Sequence, residues 1–204
     1  MKKLVAMCLL AAPIFAAGEG AMNDSERAFL IEQLEKSKKD FLSSLQGVTE
    51  AQWKYKPAPN VWSVAECAEH IVLSEDFLFN VATKQIMQSP AVDRPETSNP
   101  EQDRKLTVMV ADRSHKATAP EPLVPSGKIN SPADAIREFT AKRDRNLEYV
   151  KSSKDELRVH VTKGPVGNMD SYQFLVLMAV HTSRHTAQIR EVQANAEYPK
   201  TSAE

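Results

Sequence analysis

Cysteine is almost missing from this chain. There are two, Cys8 and Cys67, and Cys8 sits in an apolar N-terminal run. A mature domain with Cys67 alone cannot close an internal disulfide, so its stability must come from packing. Glycine is also scarce, with six in 204 residues. No strand-like alternation is sustained over several segments, which leaves an all-α reading. Excess positive charge is absent too: the formal net charge is −1. No basic patch or stripe marks a nucleic-acid partner, and none is expected. Hydrophobic residues, at 42%, are nevertheless enough to fill a core, and the length suits one domain.

The apolar run itself, Leu4 to Ala17, follows Lys2 and Lys3 and ends in Ala16-Ala17-Gly18. Those are the proportions of a signal peptide, residues 1–18, cleaved before Glu19. The run is too short and ends too abruptly for a membrane span, so the mature form is expected to have none. Cys8 comes too early for a lipoprotein site. The competing reading is a start at Met22. Export, periplasmic or secreted, is the expectation. Removing residues 1–18 takes away two lysines and no acid, leaving 24 basic and 27 acidic residues.

Four long helices are predicted in the mature chain. In Asn23–Gln46, Phe29, Leu30, Leu34, Phe41, Leu42 and Leu45 supply an apolar face opposite Glu32, Glu35 and three lysines. Gly47 marks its end. Thr49 with Gln52 makes a short capping-box turn, and Pro57 and Pro59 force an irregular link. Ser63 with Glu66 is a second capping box, opening the second long helix over 63–88. Residues 89–130, with prolines at 90, 95, 100, 120, 122 and 125, read as a long crossover holding one short helix at 100–113. Ser131 and Pro132 start the third long helix. "GPVGN" then breaks the chain, and Asp170 opens the fourth, about 170–195. Four long helices and one long crossover, between the second and third, make a four-helix bundle.

The chemistry is concentrated in "AVHTSRHTAQI". His181 and His185 stand at i and i+4, so their side chains project from one face. Phe174 and Met178 share that face and turn it inward. Buried imidazoles are costly unless hydrogen-bonded or metal-bound. His70, on the second long helix among Ile71, Phe77, Leu78 and Val81, is a third inward candidate. If the second and fourth long helices are neighbours, three imidazoles converge, the donor set of an open, catalytic-type metal site. Zinc or nickel suits imidazole equally well. A His-Glu-x-x-His zinc site is excluded, because Thr182, Ser183 and Arg184 intervene. A di-iron centre is excluded as well. The residues three before the histidines are Cys67, Met178 and Thr182, none a glutamate. The plainer reading is hydrogen-bonded helical histidines without metal.

Around these three, several residues carry two readings each. Glu66 is the N3 residue of a capping box or orients an imidazole. Gln188 lines the pocket or bonds a neighbouring element. Arg184 faces the mouth toward an anionic substrate or pairs with an acid such as Glu191. Cys67 is a packing residue or a fourth ligand. Trp62 staples the helix start or walls the pocket, with Trp53 and Tyr55 near the same end. His115 and His160 lie in polar, loop-like context and are expected to be solvated.

"NVWSVAECAEHIVLSE" and, about a hundred residues on, "LMAVHTSRHTAQIREV" resemble the DinB-like superfamily. So does "LQGVTEAQWKYKPAP" before them, whereas residues 90–130 match weakly. The resemblance implies an up-down-down-up bundle over residues 23–197. It also implies one divalent metal ion held by His70, His181 and His185. The activity implied is a metal-dependent hydrolase of small molecules. The alternatives are a thiol-dependent S-transferase or isomerase, or a non-catalytic metal-binding or stress-related bundle. The expected partner is a small-molecule substrate, with a homodimer as the assembly to test.

Overall fold

The computed structural model describes residues 20–114 and 118–200. The expected signal peptide at 1–18 and His115 lie outside the described residues. Among the described residues, six α-helices carry the fold: α1 (Asp24–Leu45), α2 (Glu50–Lys54), α3 (Val64–Asn80), α4 (Pro100–Ala111), α5 (Pro132–Ser152) and α6 (Ser171–Gln193). Among the described residues, no helix is long and apolar enough to cross a membrane.

Helix starts follow from short polar signals. Asn23 and Glu26 form a reciprocal capping box on α1, Thr49 and Gln52 on α2, Ser63 and Glu66 on α3, and Asp170 and Gln173 on α6. Ser131 caps α5, with Pro132 in the first turn. Gly47, just past α1, has φ of 70°, a left-handed conformation that only glycine adopts cheaply.

Three features depart from the sequence reading. The second long helix is α-helical only to Asn80, then continues as a π turn (Val81–Gln85) and a 3-10 turn (Ile86–Gln88). The "GPVGN" break is an ordered antiparallel hairpin, β1 (Val161–Gly164) with β2 (Gly167–Asp170), Gly164 opposite Gly167. The fold is therefore mostly helical with one small two-stranded sheet. His160 is not simply solvated. It is half-buried, its Nδ1 lies 2.7 Å from the Ser89 carbonyl, and it pairs with Ala91 in an isolated bridge.

The helices pack so that α1 and α3 each touch both α5 and α6, while α4 lies on α6. Helix α3 is thus a direct neighbour of α6. Two apolar clusters fill the interior. One contains Leu30, Leu34, Leu78, Leu147, Tyr172 and Leu175; the other contains Phe41, Trp53, Cys67, Ile71, Phe139 and Ile189. Each buried side chain of this size contributes about 1.5–3 kcal/mol.

A buried polar layer separates the clusters. It takes Ser37 from α1, Glu75 from α3, Arg143 and Asn146 from α5 and Thr182 from α6. Arg143 is fully buried, and each of its five N–H donors has a partner. Nε donates to Glu75 Oε2 at 2.9 Å. Nη1 donates to the Leu34 carbonyl and to Ser37 Oγ, both at 2.7 Å. Nη2 donates to Glu75 Oε1 and, at 3.0 Å, to Thr182 Oγ1. Each of the four long helices contributes to this layer, which fixes how they are stacked along their axes.

Candidate metal centre

His70 comes from the middle of α3, and His181 and His185 from successive turns of α6. Because α3 and α6 are in contact, the three rings meet. Ring centroids are 4.9 Å apart for His70 and His181, 4.4 Å for His70 and His185, and 4.5 Å for His181 and His185. One nitrogen from each lies within 4.8 Å of the others. His70 is buried, and the two α6 histidines are half-buried. Trp62 covers one side, its ring centroid 4.9 Å from that of His70 and 6.0 Å from that of His185.

The ring nitrogens are not equivalent. His70 Nδ1 is 2.7 Å from the Leu123 carbonyl, which can only accept. The His70 proton therefore sits on Nδ1 and the Nε2 lone pair faces the cluster. His185 Nδ1 is 2.9 Å from Gln188 Oε1, which frees its Nε2 in the same way. His181 Nε2 lies 3.2 Å from His70 Nε2, while His181 Nδ1 is buried without a hydrogen-bond partner. No tautomer of His181 satisfies both of its nitrogens from protein atoms alone.

Electrostatics keep all three rings neutral. Burial pulls His70 below the usual imidazole range, against the opposing Leu123 hydrogen bond. Burial, with His185, His70 and Arg184 nearby, depresses His181 far more. Burial and His70 bring His185 down to about 3, although the Gln188 hydrogen bond acts the other way. Among the described residues no carboxylate joins the group. Three neutral imidazoles with converging lone pairs fit a divalent cation. Two ligands about 2.0–2.1 Å from a tetrahedral ion sit roughly 3.3 Å apart, against the 3.2 Å between the two Nε2 atoms.

The neighbours divide. Glu66 is spent on its capping box, at 2.7 Å from the Ser63 N–H, and on Lys56 Nζ at 2.7 and 2.8 Å. Burial raises its pKa, but these bonds outweigh that and leave it below the usual value. Gln188 touches His185 directly. Arg184 donates to the backbone carbonyls of Val110, at 3.1 Å, and Asp112 at the end of α4. The bidentate partner of Glu191 is Arg113, at 2.7 and 2.6 Å. Cys67 is fully buried, and desolvation pushes its thiol far up, opposite to what a thiolate ligand needs.

Sequence reasoning missed the contributions of the crossover. Leu123 acts through its carbonyl, which no side-chain pattern announces. Glu69, beside His70, holds the crossover through the N–H groups of Ser126 at 3.0 Å, Gly127 at 2.8 Å and Lys128 at 3.2 Å. An acid next to a ligand candidate was its only available signal.

Comparison with known proteins agrees with the motifs. A family profile described as the DinB superfamily matches residues 33–189. The uncharacterized protein YuaE of Bacillus subtilis (strain 168) is 23% identical over 156 residues, covering 76% of this chain and 91% of the relative. No solved structure matches.

Proposed function

The chain belongs to the DinB superfamily, and from that premise we propose that it is a divalent-metal-dependent hydrolase of small molecules. His70, His181 and His185 hold the ion, zinc or nickel. The observation that carries this is the convergence of three neutral imidazoles, one nitrogen of each within 4.8 Å of the others. In this reading the domain spans 23–197 as an up-down-down-up four-helix bundle.

A bound ion supplies Lewis acidity toward a substrate oxygen and acidifies water. The protein's own groups do the rest. Leu123 and Gln188 keep protons on the outer nitrogens of His70 and His185, leaving the inner lone pairs for the ion. Trp62 shields one flank from solvent. Gln188 is a positioning residue, and Arg184 closes α4 onto the site through two carbonyls.

A second reading has its own support. Among the described residues no carboxylate stands within the imidazole group to serve as a general base. That favours a metal-binding bundle without turnover. Metal analysis of untagged protein tests the common part: one divalent ion per chain is expected, and none would overturn both readings. Esters and amides presented to the loaded protein then separate them, with thiol-transfer substrates as the third arm. Turnover of an ester or amide supports hydrolysis, whereas silence across the panel supports the binder.

The N-terminal charge and apolar run support export with removal of residues 1–18. Mass spectrometry of native protein should find a chain starting near Glu19. Unprocessed cytoplasmic material would overturn export and favour the thiol-transfer arm, because abundant small thiols are cytoplasmic.

A further inference from the structure

We infer that Arg113 is a positioning residue for His185, acting through the orientation of the Gln188 amide. This rests on the reading of His185 as a metal ligand, but its central claim concerns the metal-free protein.

Gln188 presents one atom to two neighbours. Its Oε1 is 2.9 Å from His185 Nδ1 and 3.4 Å from Arg113 Nη1. A guanidinium has only donors, so the amide atom facing it must be the oxygen. Arg113 is itself held by the bidentate contact to Glu191, one turn beyond Gln188 on α6. With the amide oxygen fixed, His185 must donate from Nδ1, and its inner nitrogen keeps a lone pair. Without Arg113 the amide is free to rotate by half a turn. It then offers its NH₂ to His185 Nδ1, which becomes the acceptor, and the imidazole proton moves to Nε2. That tautomer has its proton where a metal would bind.

Arg113 comes from the crossover, as does the Leu123 carbonyl that fixes His70. The segment least readable in the sequence thus sets the tautomers of ligands on both α3 and α6.

The test uses the full chain without metal, reading the His185 tautomer by imidazole nitrogen NMR. The parent should carry its proton on Nδ1. Arg113→Met should move a measurable share of it to Nε2. Adding Gln188→Glu to that variant should restore Nδ1–H, because a carboxylate accepts from either oxygen and cannot present a donor. A general loosening of the crossover would not be rescued this way. Arg113→Lys, which keeps the charge but not the fork, should behave like Arg113→Met. Cobalt(II) titration supplies the second readout. Arg113→Met and Gln188→Leu should each weaken binding about tenfold, and together no more than Gln188→Leu alone. An unchanged tautomer in Arg113→Met, no rescue by Gln188→Glu, or additive losses in the double variant would overturn the inference. If the parent binds no cobalt(II), the metal reading fails, and the tautomer measurement still decides the role of Arg113.

Discussion

His70 is 2% exposed and touches groups that suit a neutral ring: a carbonyl, two further imidazoles and an indole face. Replacing it by alanine removes one lone pair from the centre and leaves α3 its Ile71 and Val72 packing. His70→Ala, His181→Ala and His185→Ala should each lower metal affinity at least about a hundredfold in a titration, with helical content by circular dichroism nearly unchanged. His160→Ala should leave affinity at the parent level, since that ring is bonded to Ser89. Parental affinity in His70→Ala would refute the three-histidine site. Cys67 gives the complementary case. Its thiol is enclosed beside Val64 and Ile71, with no place in the imidazole group. Cys67→Ser should keep metal stoichiometry and lose about 1–2 kcal/mol in denaturant unfolding, the cost of burying a hydroxyl. At this scale the sequence was most informative where a side chain acts alone. The i, i+4 histidines and the Ser63–Glu66 box were legible because helical geometry follows from spacing. The tautomers were not, because a backbone carbonyl and a crossover arginine set them.

Among the elements, the polar layer around Arg143 governs how the long helices meet. Phe139 and Leu147 are buried apolar residues of α5, but no pattern in the sequence gives a reason to bury the arginine between them. Its partners come from three other helices, and that assembly is tertiary information. The β1–β2 hairpin was hidden for a similar reason: four residues per strand are too few for a period of two to stand out. Breaking the Arg143–Glu75 pair leaves a carboxylate buried without its cation. Arg143→Met should therefore cost about 3–5 kcal/mol in urea unfolding. Arg143→Met with Glu75→Leu should recover part of that loss, because the uncompensated charge is gone. Equal losses in the single and double variants would show that the guanidinium matters for shape rather than charge. Thr182 hangs on the same guanidinium next to His181, so the single variant should also weaken metal binding, by less than a ligand deletion does.

Across the whole molecule, two sets of buried groups pull stability in opposite directions between neutral and acid pH. The histidines have folded values below their ordinary 6.5, His185 at about 3. The unfolded chain therefore takes up protons that the folded chain refuses. Their contribution is full above 6.5 and is lost as pH falls toward about 3. Asp170 works the other way. Burial lifts it from 3.8 to about 6 despite Arg158 beside it, so its contribution is full below 3.8 and lost as pH rises through about 6. The His185 displacement is the larger, and His70 and His181 add to it, while Asp103 adds to Asp170. The metal-free protein should therefore lose stability on acidification below 6.5, and Asp170→Asn should steepen that loss by removing the opposing group. Rising denaturant midpoints over the same range would contradict this balance. Metal binding to the folded chain should behave differently. Exposed imidazoles with ordinary values would be protonated at about pH 5 and lose affinity steeply, by about 30-fold for each ligand. Here the folded site already refuses those protons. Affinity measured on folded protein should fall less than about tenfold between roughly pH 7.5 and 5. At a metal concentration near a hundred times the Kd at roughly pH 7.5, the stabilisation of about 2.7 kcal/mol should therefore fall by no more than about 1.3 kcal/mol through that range. A fall of about ten-thousandfold or more by about pH 5 would mean that the three rings titrate as exposed histidines do, and that burial does not hold them ready for the ion.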